Sequence, residues 1–339
     1  MGVDLKPLIK AKKISINELA GKIIAIDAYN TLHQFISIIR QRDGTPLKDA
    51  QGHITSHLSG LLYRTANLVE KGIKPVYVFD GPPHPLKLRT LEERREMRKT
   101  AMEEWEKALE IGDIEEAMKK AKRTGSIDKN MANEAKTLLG ALGIPYVEAK
   151  SEGEAQASYM NIKGDVDAVA SQDFDSLLFG SLLLIRNLAI TGKRKLPDKQ
   201  IYVEVVPEEI ELNRILKEWD ITREQLVDIA ILIGTDFNEG IKGIGPKKAL
   251  QLIKEYGSID NLVKEGKIDI ENYEEVRKIF LKPEISKEYK LIWKEVDEKA
   301  VLEFLCDEHQ FSRDRVKNAI EKYKKFAKTF KQKNLFDFQ

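Results

Sequence analysis

The chain has a single cysteine, Cys306, in 339 residues, which excludes a disulfide framework and any thiolate metal cluster within one chain. A reducing, intracellular setting fits. No run approaches the ~20 apolar residues that a membrane span requires, although apolar types make up 42% of the sequence. The opening residues, MGVDLKPLIKAKK, lack a continuous apolar core and a small-residue cleavage site, so no secretory leader is expected. Lys6 stands where a myristoylation signal needs Ser or Thr. Neither sign of charge is in excess: 56 basic and 55 acidic residues leave +1. Bulk charge therefore advertises no nucleic-acid partner, and only local segregation of charge can do so. The five histidines (His33, His53, His57, His84, His309) show no metal-ligand spacing. There is no Ser-His-Asp or Cys-His set, no internal repeat and no low-complexity linker.

What the chain has is carboxylate at particular places. The stretch Ile144 to Phe179 holds two tight acidic pairs, Glu152/Glu154 and Asp173/Asp175, each following an apolar, strand-like run, IPYVEA and VDAVASQ. Both pairs are thus expected at the carboxyl edge of a parallel sheet, where open α/β folds bind ligands. Between them Ser151 is expected to cap a helix beginning at Glu152. Two more strand candidates, KIIAID and KPVYVFD, close on Asp27 and Asp80, and the helical run VDIAILIGTD closes on Asp236. Acids are common in first helical turns and in turns, so either pair alone says little. Seven acids at equivalent edges of one sheet say more. Two like charges about 4 Å apart repel by about 4 kcal/mol at an effective dielectric of about 20, so such a cluster must be partly protonated or bind cations. With oxygen ligands alone the preferred ion is hard: Mg²⁺, Mn²⁺ or Ca²⁺. An all-carboxylate site of that kind suits phosphoryl chemistry with two ions.

Two further stretches carry local charge. Pro85 to Arg123 favours helix, with Gly112 its only glycine, and Lys87, Arg94 and Arg98 share one face just after Asp80. By spacing alone it reads as a solvated helix laced with Glu–Arg pairs. In IKGIGPKKALQLIKEYGS, Gly243 and Gly245 permit a tight turn, and Pro246 opens a helix that begins with Lys247 and Lys248. Such a helix start offers backbone N–H groups and two cations to a phosphate. By length, 339 residues make two ordinary domains or one large α/β domain with additions.

The order IDA at Asp27, VFDG at Asp80, SEGEA at Ser151, QDFD at Gln172, GTDF at Gly234 and GIGPKKA at Gly243 resembles the flap endonuclease family, the structure-specific 5′ nucleases of replication and repair. The similarity spans the whole chain and is closest to the single-subunit archaeal form. It implies an α/β fold with a mixed, mostly parallel central sheet and helices on both faces (a PIN-like 5′ nuclease fold). One nuclease domain would cover residues 1–330, with a helical arch and cap at 84–128 and a helix-two-turn-helix at about 222–260. The resemblance implies a two-Mg²⁺ site, with Mn²⁺ as a substitute: Asp27, Asp80, Glu152 and Glu154 nearer one ion, Asp173, Asp175 and Asp236 nearer the other. Lys87 and Arg94 match the basic pair that steers the scissile phosphate, which replaces the solvated-helix reading. Gly243, Gly245, Lys247 and Lys248 match the element that grips duplex backbone, with a bound K⁺. Arg98 belongs to the arch, Arg40, Thr55 and Arg64 fall where the family touches template strand and 3′ flap, and the amino end near Gly2 lies by the active site.

Two departures stand out. His33 occupies the place of a Tyr that stacks on a base near the cut; imidazole offers less area and titrates near neutrality. The last residues, 331–339, carry Gln332, Leu335 and Phe338 in the pattern of a sliding-clamp-binding motif whose final aromatic is missing. The implied partners are branched DNA with a 5′ flap and a sliding clamp, for a monomer at the DNA of an archaeal cell and with no membrane role. A 5′ exonuclease acting on recessed ends and a DNA-binding, clamp-associated scaffold without nuclease activity are the alternatives.

Overall fold

A computed structural model describes residues 2–195 and 202–336. Its strands are β1 (Lys12–Lys13), β2 (Ile23–Asp27), β3 (Lys74–Phe79), β4 (Tyr146–Glu148), β5 (Ala168–Ala170), β6 (Leu183–Arg186), β7 (Gly192–Lys195), β8 (Tyr202–Val205) and β9 (Glu208–Glu211). Seven form one sheet in the order β1-β9-β6-β5-β2-β3-β4, and β7 and β8 form a separate antiparallel pair. The five strands β6-β5-β2-β3-β4 run parallel, while β9 and β1 add an antiparallel edge. This is the mixed, mostly parallel sheet that the sequence led us to expect. Strand β2 is the middle of the five parallel strands, with Ala25 opposite Val76 on β3 and Val169 on β5.

The helices are α1 (Ala28–Ile38), α2 (Ser56–Glu70), α3 (Leu88–Glu110), α4 (Ile114–Ala121), α5 (Lys129–Ala141), α6 (Gly153–Lys163), α7 (Asp175–Leu178), α8 (Leu212–Trp219), α9 (Arg223–Ile233), α10 (Pro246–Tyr256), α11 (Ile259–Lys264), α12 (Tyr273–Leu281), α13 (Glu298–Leu302) and α14 (Arg313–Phe336). No helix among the described residues is long and apolar enough to cross a membrane.

Period-2 alternation decides which helices each sheet face receives. Ile24 and Ile26 of β2, Tyr77 and Phe79 of β3, and Ala168 and Ala170 of β5 join one core with α1, α2, α5, α13 and α14. Their neighbours Ala25, Val76, Val78 and Val169 face the other way, onto Ala157 and Met160 of α6. A third cluster, with Leu184 and Ile210 from the sheet, packs α7 to α12 together. Helices α1 and α2 cross closely: a Cβ at Gly60 would fall 2.2 Å from Cγ of the buried Phe35. Both sheet faces are therefore covered, and the carboxyl ends of β2, β3 and β5 are left as the open edge. Helix α3 projects from that edge with only Ala101 and Ala108 buried along its length.

Candidate active site

Each acid reaches this edge by a local device. Asp27 ends β2 and caps α1, accepting from the Asn30 amide at 3.0 Å. Asp80 follows β3 directly, and its Oδ1 accepts from the Gly153 amide at 2.6 Å, so the first amide of α6 is satisfied from another strand. The expected Ser151 cap is therefore corrected: Glu152 occupies the N-cap position with no side-chain cap bond, and α6 begins at Gly153. Glu154 lies in the first turn of α6 and accepts from Ser176 Oγ at 2.7 Å. Asp173 accepts from Asn30 Nδ2 at 3.0 Å, and Asp175 accepts from the Val3 amide at 2.9 Å. Asp236 arrives by a turn through Gly234, whose φ of +110° ends α9.

Two cations enter this group from the start of α3. Lys87 pairs with Glu152 and stands 3.8 Å from Asp236, and Arg94 pairs with Asp236. Thr90, between them, donates its hydroxyl to the Asp236 carbonyl at 2.9 Å. Seven carboxylates facing two close cations leave a negative excess, and the proton affinities record it. Burial pushes Asp80 up to about 6, against the Lys87 charge and with Glu152 adding to the rise. Burial, then the charges of Asp236 and Asp173, push Asp175 up to about 7. Asp27 is raised well above the ordinary carboxylate range by burial and by Asp80, and Glu154 by burial and by Asp175. Burial alone would lower Lys87, but Glu152 and Asp80 hold it raised.

In this arrangement the carboxylates are drawn toward Lys87, Arg94, Asn30, Ser176 and backbone amides. Among the described residues no three His, Cys, Asp or Glu side chains converge closely enough to hold an ion as they stand. The donor set nonetheless fits hard divalent cations: it is oxygen only and in negative excess, and burial together with neighbouring carboxylates raises the proton affinity of four of its members.

The other expected residues are placed as follows. His33 Nε2 lies 3.0 Å from the Gly125 carbonyl, and burial lowers its pKa. Arg40 donates to the carbonyls of Ile36 and Gly44, each at 2.8 Å, and to Thr124 at 3.2 Å, tying α1 to the segment that follows α4. Thr55 is buried, and Arg64 reaches the Thr191 carbonyl at 3.4 Å. Arg98 lies on α3, where burial and the neighbouring Arg94 lower its pKa. Gly243 takes φ +85° and Gly245 caps α10, whose first turn presents Lys247 and Lys248 exposed. Gln332 and Leu335 fall in the last turns of α14, and Phe338 lies outside the described residues. Sequence reasoning missed Asn30, Thr90 and Ser176. Asn30, one turn after Asp27 on a helix leaving the sheet edge, carried a usable signal.

Models of two regions match the chain: the XPG N-terminal domain over residues 1–101 and the XPG I-region over residues 143–236. Flap endonuclease 1 of Archaeoglobus fulgidus is 55% identical over 329 residues, 97% of this chain and 98% of that relative. The chain belongs to the flap endonuclease family. It is thereby a structure-specific nuclease of 5′ flaps. Flap endonuclease 1 of Pyrococcus abyssi is 56% identical over 337 residues, 99% of this chain and 97% of that relative. Among solved structures, the flap endonuclease of Methanococcus jannaschii superposes with a TM-score of 0.78 at 43% identity, covering 97% of this chain and 99% of that one. The catalytic core of Rad2 in complex with a DNA substrate shares the fold, with a TM-score of 0.67 at 23% identity, covering 92% and 96%.

Proposed function

We propose that this flap endonuclease cuts branched DNA near the base of a 5′ flap, also trims 5′ ends exonucleolytically, and leaves a nick ready for ligation. The observation that carries the reading is the gathering of Asp27, Asp80, Glu152, Glu154, Asp173, Asp175 and Asp236 at one sheet edge, with Lys87 and Arg94 reaching in from α3. Those carboxylates would hold two Mg²⁺ ions, or Mn²⁺ in their place. Such ions lower the pKa of a bound water and offset charge on the leaving oxygen.

The chain's own groups do the rest. Asn30 and Ser176 orient Asp173 and Glu154. Lys87 and Arg94 exchange their carboxylate partners for the scissile phosphate and stabilise the charge that develops there. The exposed Gly243–Lys248 helix start, with K⁺, holds duplex backbone, and α3 with α4 forms the arch that admits single strand. The tail around Gln332, Leu335 and Phe338 binds a sliding clamp, and the enzyme works as a monomer at DNA within the cell. A scaffold that only bound DNA would gain nothing from seven acids beside phosphates.

The deciding experiment uses a 5′-labelled double-flap DNA with and without Mg²⁺, beside Asp173→Ala. One short labelled product, dependent on metal and lost in the variant, is expected. Binding without cleavage in Mg²⁺ and in Mn²⁺ would overturn the nuclease reading.

A further inference from the structure

A cavity of about 500 Å³ opens beside the acids, between the turn at 82–85 and the end of α12. It shares Glu152 with the site, and its wall at Pro85 begins the turn that carries Lys87. Its volume lies within the ~300–1,000 Å³ typical of ligand pockets. Its apolar lining includes Pro82, Ala155, Phe179 and Ile279, of which Ala155 and Phe179 are buried.

Three lysines line it from two directions: Lys150, just before Glu152, and Lys278 and Lys282, one turn apart at the end of α12. All three are exposed, and among the described residues none has an ion-pair partner. Glu275 and Glu284 also reach the cavity, but Glu152 is already engaged by Lys87, so lysines outnumber the carboxylates left to face them.

Unpaired ammonium groups beside an apolar lining suit a strand that presents phosphates on one side and bases or sugars on the other. We propose that this cavity is a subsite for the single-stranded arm of the substrate: nucleotides of the arm beyond the first lie along Pro82, Phe179 and Ile279, their phosphates against Lys150, Lys278 and Lys282. The inference rests on the nuclease reading above. It adds a reason for the enzyme to favour a long single-stranded arm over a minimal one.

The test compares wild type with a triple Lys150→Ala, Lys278→Ala, Lys282→Ala variant and with a triple Lys→Arg variant. Each is assayed on two DNAs of identical duplex, one with a single-nucleotide flap and one with a long flap. The Ala variant should lose roughly tenfold in kcat/KM on the long flap only, with the salt slope of long-flap binding reduced by about 2, some 0.7 for each phosphate contact. The Arg variant should restore both. Equal loss on both DNAs, or loss on neither, overturns the subsite. A photoreactive thymidine analogue in the long flap provides a readout independent of cleavage, with Ca²⁺ replacing Mg²⁺. Cross-links at residues 82–85 or 278–284 support the cavity, and cross-links confined elsewhere overturn it. If wild type binds both DNAs and cuts neither in Mg²⁺ or Mn²⁺, the nuclease reading falls, and cross-linking alone decides the cavity.

Discussion

Asn30 holds Asp173 across the sheet edge: its side-chain amide donates to the carboxylate at 3.0 Å, while its backbone amide donates to Asp27, also at 3.0 Å. One residue thus fixes two acids that come from different strands. Partners that orient ligand side chains typically matter by about 10–100-fold in affinity or rate. Asn30→Ala should therefore lower cleavage by about that factor at limiting Mg²⁺, with part of the loss recovered at high Mg²⁺. Asn30→Asp should be worse than Asn30→Ala, because it adds an eighth carboxylate to a negative cluster. A Mg²⁺ titration of initial rates separates the two; identical curves for both variants and wild type would remove Asn30 from the site.

In the resting protein Lys87 and Arg94 are held by Glu152 and Asp236, and in the proposed reaction they would turn to the phosphate of DNA. Facing a phosphodiester in a water-poor site, a removed charged donor costs roughly 100- to 1,000-fold in kcat. Both Lys87→Ala and Arg94→Ala should show a loss of that order, with flap binding in Ca²⁺ changed far less. Without divalent ions each variant also leaves Glu152 or Asp236 short of its present partner. Added Mg²⁺ should then raise the melting temperature more in the variants than in wild type, since ligands stabilise whichever state binds them. Calorimetry with chelator and with Mg²⁺ reads this without any assay of cleavage.

Away from the site, Asp49 joins the loop before α2 to the segment before α14. Its carboxylate meets His309 Nδ1 at 2.9 Å and His53 Nδ1 at 3.2 Å, and accepts from the amides of Gln51 and His53 at 3.0 and 2.9 Å. Burial favours the protonated form, but these hydrogen bonds, led by His309, win and bring the pKa down to about 2 from an ordinary 3.8. A depressed carboxylate adds stability above its unfolded pKa and loses it as pH falls through the folded one. Wild type should therefore lose stability faster than Asp49→Asn between about pH 4 and pH 2, while remaining the more stable of the two at pH 7. Urea melts across that range give the two slopes, and parallel slopes would contradict the assignment.

The sheet and its acids were legible because strand and acid are adjacent in sequence: IIAID and YVFD announce both the apolar alternation and the carboxylate at its end. The start of α6 was misread because its capping group is Asp80, 73 residues away, and nothing near Ser151 shows that the Gly153 amide is already satisfied. Arg40 illustrates the same limit: the resemblance sets it beside DNA, and nothing near it in sequence announces its bond to Thr124, 84 residues on. The contacts that escape a linear reading here are side-chain hydrogen bonds across long separations.

The network around Asp228 is of that kind and carries the last prediction. Asp228 lies on α9, nearly fully buried, and Arg277 on α12 grips both its oxygens at 2.8 and 2.9 Å. The same carboxylate accepts from the Ile259 amide at the start of α11 at 3.0 Å, and Arg277 also reaches Asp260 at 2.8 Å. These bonds fix α11 and α12 against α9. Burial raises the Asp228 pKa even with Arg277 beside it, so loss of the arginine leaves a buried carboxylate without its counter-ion. Breaking a buried pair on one side costs about 3–5 kcal/mol, discounted here because Arg277 is itself partly exposed. Arg277→Met should therefore destabilise by about 2–4 kcal/mol, whereas the double variant Asp228→Asn, Arg277→Met should recover much of the loss by removing the stranded charge. A double-mutant cycle by urea melts measures the coupling directly. Additive effects of the two substitutions would mean that α11 and α12 are held by helix packing and not by the ion pair.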